Sequence, residues 1–364
     1  MRKVSDTITR LTALRNRPRP TRAPAAATSL KRLDGFGSNP GSLDAWCFVP
    51  DGLAPGAPLV VVLHGCTQDA AGYDHGSGWS QLAQEQGFAV LLPEQRRSNN
   101  MNLCFNWYEP ADSRRGAGEP LSIRQMIDAM IDRHAIDPGR VFVTGLSAGG
   151  AMASVMLATY PDVFAGGAII AGLPFGAAST VPEAFDRMRG HGGPDEVALA
   201  AAVRAASPHQ GPWPTIAVWH GSADHTVVAS NGLAIVEQWR RVHGLDAAPS
   251  EIGRVEGYPH RVWRDDRGRV VLEDYLITGM GHGTPLSTAG ADGCGTSGAY
   301  MLEVAISSTR HIAQGWGIAS RSTSARPQVQ ERVMAAPPKP VRPPAATGAG
   351  KVIEDALRAA GLMA

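Results

Sequence analysis

The sequence predicts an α/β fold in which a mostly parallel sheet carries helices on both faces. Three observations lead there. Short apolar runs of strand length alternate with segments of helical periodicity, as βα units do. Most of those runs are apolar at every position, as strands covered on both faces are. A serine between two glycines follows one run directly and opens a helical segment.

Strands are expected at 59–63 (LVVVL), 88–92 (FAVLL), 140–144 (RVFVT), 167–171 (GAIIA), 214–219 (PTIAVW) and 271–278 (VLEDYLIT). Helices are expected at 78–86, 121–135, 148–159, 231–243 and 298–312. In the second helix Ile123, Met126, Ile127, Met130 and Ile131 share one face, which is the spacing of core packing. Ligands of parallel sheets sit beyond the carboxyl ends of the strands, so residues that carry chemistry should follow strands.

The flanks differ from this body. Residues 1–30 read as a basic arm, and the segment 16–28 is NRPRPTRAPAAAT. The arm has no apolar stretch of the kind that makes a secretory signal, so a cytoplasmic location is expected. Residues 31–319 form the predicted catalytic domain. Residues 320–350 are rich in Pro and Ala and read as a linker. Within 351–364, Val352, Ile353, Ala356, Leu357 and Ala360 fall at helical spacing, which predicts one short amphipathic helix. The net charge of +1 gives no field to draw nucleic acid. No apolar run approaches the ~20 residues of a membrane span. No metal-type cysteine spacing occurs, and no metal or organic cofactor is expected.

The stretch VFVTGLSAGGAMA (141–153) puts Ser147 at the corner between a strand and a helix. Gly145 and Gly149 remove β-carbons that would collide there, and the hydroxyl stands at a helix N-terminus. That is the G-x-S-x-G nucleophile elbow in its required context. A serine hydroxyl needs a base to take its proton. On such a sheet the acid and then the histidine follow the serine along the chain. Asp224 lies after strand 214–219 and His282 after strand 271–278, in a Gly-flanked loop. His220 and His225 precede any later acid; His220 ends a strand and is read as shaping the loop. His311 falls in a helical pattern, and His134 and His209 lack Gly-rich surroundings. Asp274 is mid-strand and Asp292 follows the histidine.

The tetrahedral intermediate of ester hydrolysis needs donors aimed at its oxyanion. The backbone N–H of Ala148 is one candidate. The run LHGCTQ ends strand 59–63, and the Cys66 N–H is the second; His64 is read as shaping that turn. The segment 93–120 follows a strand and is long, and such loops are often functional. Its Phe105, Trp107 and Tyr108 are candidate substrate contacts, as is Tyr73; packing the loop onto the body is the alternative role.

Four cysteines (Cys47, Cys66, Cys104 and Cys294) allow three pairings. Free thiols are expected in the cytosol. Cys66 and Cys104 follow consecutive strands, so they are expected within bridging distance and are the candidate disulfide pair.

LHGCTQ, SGWSQLAQEQGFAVLLPEQ, CFNWY, SIRQMI and GLSAGG together resemble esterases of the polyhydroxybutyrate depolymerase family. The resemblance covers roughly residues 40–315. It implies an α/β-hydrolase fold and attack on esters of short 3-hydroxyacids, with Ser147, Asp224 and His282 as the triad and Cys66 in the oxyanion loop. The resemblance implies a polyester granule or oligomer as substrate, with association to that granule as the alternative to a free cytoplasmic location. Feruloyl and acetyl-xylan esterases share the family's machinery, and a non-catalytic granule coat is the alternative of another class.

Overall fold

The computed structural model describes residues 29–320. Ten strands form one sheet: β1 (Lys31–Arg32), β2 (Asp44–Phe48), β3 (Leu59–Leu63), β4 (Ala89–Glu94), β5 (Val141–Leu146), β6 (Gly166–Ile170), β7 (Thr215–Gly221), β8 (Glu251–Val255), β9 (Tyr258–Arg264) and β10 (Val270–Ile277). Their order across the sheet is β1-β2-β4-β3-β5-β6-β7-β10-β9-β8. The six central strands, β4 to β10 in that order, pair in parallel, and antiparallel strands extend both edges. β11 (Thr284–Leu286) and β12 (Met301–Glu303) form a separate parallel pair.

The helices are α1 (Ala70–Ser77), α2 (Trp79–Gln86), α3 (Gly118–His134), α4 (Ala148–Thr159), α5 (Val181–Met188), α6 (Glu196–Ala205), α7 (Ser230–His243) and α8 (Ser308–Gly315). β3 shows why its sequence is apolar throughout. Leu59, Val61 and Leu63 enter one core cluster with Met126 and Met152. Val60 and Val62 enter the other with Trp79 and Ile312. A strand buried on both faces has no polar side to alternate with.

All six expected strands are present within two residues of their predicted ends. The expected helix over 298–312 is corrected. Tyr300 and Ala305 adopt positive φ of 61° and 58°, which breaks a helix, and β12 occupies the space between them. The helix starts only at Ser308, where the Ser307 hydroxyl caps the Arg310 N–H at 3.3 Å. The expected linker at 320–350, the helix within 351–364 and nearly all of the 1–30 arm lie outside the described residues. Among the described residues no helix is long and apolar enough to cross a membrane.

Candidate active site

Ser147 links β5 to α4 with φ 57° and ψ −118°, a conformation that costs a non-glycine residue of order 1–3 kcal/mol. Hydrogen bonds hold it there: the Ser147 N–H donates to the Ile170 carbonyl at 2.9 Å, and the Ala151 N–H donates to the Ser147 carbonyl at 2.8 Å. The flanking glycines are forced by contact. A β-carbon on Gly149 would lie 2.5 Å from the His64 carbonyl oxygen, and one on Gly145 would run into the backbone of Gly149. Two strands and a helix therefore meet at this corner with no room for a side chain except the serine's. Ala148 is the first residue of α4, so its N–H has no acceptor within the helix.

Asp224 and His282 arrive on neighbouring loops, after β7 and β10, which pair in parallel. Backbone bonds lock the loops together: Ser222 N–H to the Ile277 carbonyl at 3.0 Å and Ala223 N–H to the Met280 carbonyl at 3.0 Å. His282 Nδ1 lies 2.7 Å from Asp224 Oδ2. The other carboxylate oxygen accepts from the Thr226 and Val227 N–H groups, each at 2.9 Å. Burial pushes the Asp224 carboxyl upward, but the neighbouring His220 imidazole and the hydrogen bond from His282 outweigh it. Together with the His282 charge and the Val227 N–H, they hold it well below the usual carboxylate range. Asp224 is thus a buried, fully satisfied anion. With the carboxylate accepting at Nδ1–H, the imidazole's Nε2 keeps its lone pair for a proton.

His220 lies beneath this pair. It donates Nε2–H to the Val227 carbonyl at 2.8 Å and stands 3.5 Å from Asp224 Oδ2. That is the loop-shaping role read from its position in the chain.

The loop after β3 is held from four sides. Gly65 N–H donates to Gln68 Oε1 at 2.8 Å, and Thr67 N–H donates to the Asn102 carbonyl at 2.6 Å. His64 Nδ1–H donates to the Gly65 carbonyl at 2.8 Å, while its Nε2 accepts from the Gln95 N–H at 3.1 Å. Burial pushes the His64 imidazole down to about 4, so the ring is neutral and both nitrogens serve the turn. The fourth tie is a disulfide, Cys66–Cys104, with Cα atoms 4.2 Å apart. The proximity expected from consecutive strands is present and the candidate pair is bridged, in place of the thiols expected in the cytosol: the two loops leave adjacent strands at one sheet end. Cys47 and Cys294 are free and buried.

Ser147, His282, Cys66 and Ala148 all face one cavity of about 400 Å³. Trp107 and Tyr108 line it as well. Tyr73 and Phe105 do not, and their assignment as substrate contacts is corrected. Both are fully buried. α1 turns Tyr73 inward, where its hydroxyl pairs with that of Thr284 at 3.3 Å. Phe105 packs on the His64 ring at a centroid distance of 4.9 Å, supporting the loop after β3 from behind.

Other lining residues went unnoticed in the sequence. α5 supplies Val181, Ala184, Phe185 and Met188, an i, i+3, i+4, i+7 face that its periodicity could have revealed. Tyr300 stands edge-on to His282 at 6.1 Å between ring centroids. Among the described residues no cluster of His, Cys, Asp or Glu is arranged to hold a metal ion. The arrangement can perform acyl transfer: a hydroxyl at a strained corner, an imidazole oriented by a buried carboxylate, a free helix N-terminal N–H at Ala148 and an apolar cavity that Cys66 also lines.

Comparison with known proteins agrees. The family model described as "Esterase PHB depolymerase" matches residues 44–256. Poly(3-hydroxyalkanoate) depolymerase C of Paucimonas lemoignei is 49% identical over 292 residues, covering 80% of this chain and 70% of its own. Feruloyl esterase B of Talaromyces stipitatus is 31% identical over 268 residues, 71% of this chain and 73% of its own. The acetyl xylan esterase from Aspergillus awamori superposes with a TM-score of 0.68 at 27% identity, covering 80% of this chain and 100% of that one.

Proposed function

Because the chain belongs to the esterase PHB depolymerase family of α/β-hydrolases and is a carboxylic ester hydrolase, we propose that it cleaves poly(3-hydroxybutyrate) or its oligomers through an acyl-enzyme on Ser147. The observation that carries this reading is the cavity at the elbow, with walls of Leu146, Leu173, Val181, Phe185, Met188 and Trp107. Such walls suit the methyl-bearing backbone of a short 3-hydroxyacid polyester. The 49% identity to a poly(3-hydroxyalkanoate) depolymerase points the same way.

Ser147 Oγ attacks the ester carbonyl carbon while His282 Nε2 takes its proton. Asp224 holds the imidazole through Nδ1–H and stabilises the imidazolium that forms. The Cys66 and Ala148 N–H groups take the developing oxyanion. As the bond to the leaving oxygen breaks, His282 returns the proton to that oxygen and an alcohol departs. Water then attacks the acyl-enzyme, giving its proton to His282, and Ser147 leaves as the restored hydroxyl.

We assign this catalysis to residues 31–319. A bridge between Cys66 and Cys104 favours an oxidising compartment over the cytoplasmic location expected from the sequence. The test is a substrate panel of amorphous and crystalline poly(3-hydroxybutyrate), its short oligomers, methyl ferulate and acetylated xylan. Release of 3-hydroxybutyrate by the protein and not by Ser147→Ala supports the proposal and excludes a granule coat. Turnover confined to ferulate or acetyl esters overturns it in favour of the relatives' chemistry.

A further inference from the structure

We propose that Gln68 is a catalytic residue, a third donor that places its side-chain Nε2–H on the oxyanion beside the Cys66 and Ala148 N–H groups. The inference rests on the reading of Ser147 as nucleophile and adds a residue to it.

The carboxamide's orientation is fixed by chemistry. Gly65 N–H is a donor, and only Oε1 of Gln68 can accept from it, which it does at 2.8 Å. Turning the amide over would set two donors against each other. Nε2 is thereby committed to the side away from Gly65. No hydrogen bond from Nε2 forms among the described residues, and it is not one of the buried polar atoms left without a partner. Gln68 lines the cavity with Gly65, Cys66, Ser147 and Ala148. An oriented donor with no hydrogen-bond partner among the described residues therefore belongs to the wall of the cavity that Ser147 faces.

Of the three neighbouring asparagines, Asn102 also lines the cavity with no hydrogen bond from Nδ2, but no bond to its Oδ1 fixes which way its amide faces; the other two are spent. Asn99 Nδ2 is spent on the Gly41 and Ser42 carbonyls and on Gln95, and Asn100 Nδ2 on Asn106. Those two build the cavity wall. In Gln68 the acceptor half is structural and the donor half is left over. Ester substrates present acceptors only at the reacting group, so a leftover donor is the complement they require. Its clamp on Gly65 makes the donor preorganised, and such donors act most strongly in the transition state.

The test separates the two halves of the amide. Gln68→Glu keeps an acceptor for Gly65 N–H but replaces the donor by a carboxylate; Gln68→Met removes both. Each is assayed on p-nitrophenyl butyrate, a small ester whose hydrolysis does not depend on the polyester assignment. The side chain is half-buried at a cavity wall, and thermal unfolding with near-UV circular dichroism establishes that each variant is folded. The expected result is a kcat lower by about 10²-fold in both, with KM little changed, because an interaction made in the transition state is lost. The ratio of Gln68→Glu to the parent should then rise as pH falls, because a protonated acid can donate again.

Gln68→Glu with parental kcat at alkaline pH would show that only the clamp matters and would overturn the proposal. So would parental kcat in Gln68→Met, or an effect confined to KM. Activity retained in Ser147→Ala would instead overturn the nucleophile assignment, a separate result.

Discussion

Asp224 Oδ2 and His282 Nδ1 lie 2.7 Å apart although 58 residues separate them in the chain. Parallel pairing of β7 with β10 brings their loops side by side. The carboxylate's remaining acceptor sites go to Thr226 and Val227, so its geometry does not depend on the histidine alone.

Asp224→Asn should therefore preserve the fold while favouring the wrong imidazole tautomer. We expect kcat to fall by about 10⁴-fold, the loss found when a triad aspartate is so replaced. The substitution also tests electrostatics. A carboxyl held low in the folded state contributes stability above its unfolded value near 4, and that stability is lost as pH falls toward the folded value. The stability gap between parent and variant, from urea titrations, should be widest at neutral pH and close in acid. A gap independent of pH would refute the buried anion.

His64 predicts a second acid-side loss. Its folded value of about 4 lies below the usual 6.5, so the neutral ring's contribution is complete above 6.5 and disappears as pH falls through 4. The full swing is roughly 3 kcal/mol at 1.36 kcal/mol per pKa unit. His243, also buried and lowered to about 4, adds the same sign. His64→Gln should flatten the fall in urea midpoint between pH 7 and pH 4 without abolishing it. An unchanged slope would mean His64 is already charged.

Mass mapping after thiol alkylation should find Cys66 joined to Cys104 and should alkylate Cys47 and Cys294 only after unfolding, because both are buried. The bridge closes a loop with a sequence separation of 38, worth about 4 kcal/mol in the chain-entropy model. Cys104→Ser should lower Tm and, by freeing the oxyanion loop, lower kcat as well. A parental kcat in that variant would show that the hydrogen bonds of His64, Gln68 and Asn102 hold the loop unaided.

Two neighbouring aromatics should behave oppositely. Phe105→Ala removes a fully buried ring and should cost about 3–5 kcal/mol of stability. Trp107→Ala, at the cavity wall, should mainly raise KM for 3-hydroxybutyrate oligomers. Equal KM effects from both would return Phe105 to the substrate.

Much of the fold was legible because strands buried on both faces, such as β3, have no polar alternation to obscure them. The triad candidates were legible for a related reason. A parallel sheet delivers its chemistry at strand ends, so Ser147, Asp224 and His282 could be sought there. Edge strands were not visible. β8 (EIGRV) is largely exposed, and β2 (DAWCF) alternates over only five residues. Proximity in sequence misled at Tyr73, where helical geometry turns the ring away from a loop only a few residues distant. It misled again at Phe105, whose neighbour Trp107 lines the cavity while it does not. Gln68 carried no signal at all, because its meaning depends on which half of an amide is already in use.

The most direct test of the central claim is to trap the acyl-enzyme. The protein is mixed with an excess of a 3-hydroxybutyrate oligomer, quenched in acid within one turnover and mapped by peptide mass spectrometry. The account predicts one 3-hydroxybutyryl group on the peptide that contains Ser147, absent in Ser147→Ala, and stronger labelling in His282→Ala if any acylation survives there. Turnover of the oligomer with no adduct on Ser147, or with the adduct on another residue, would contradict it.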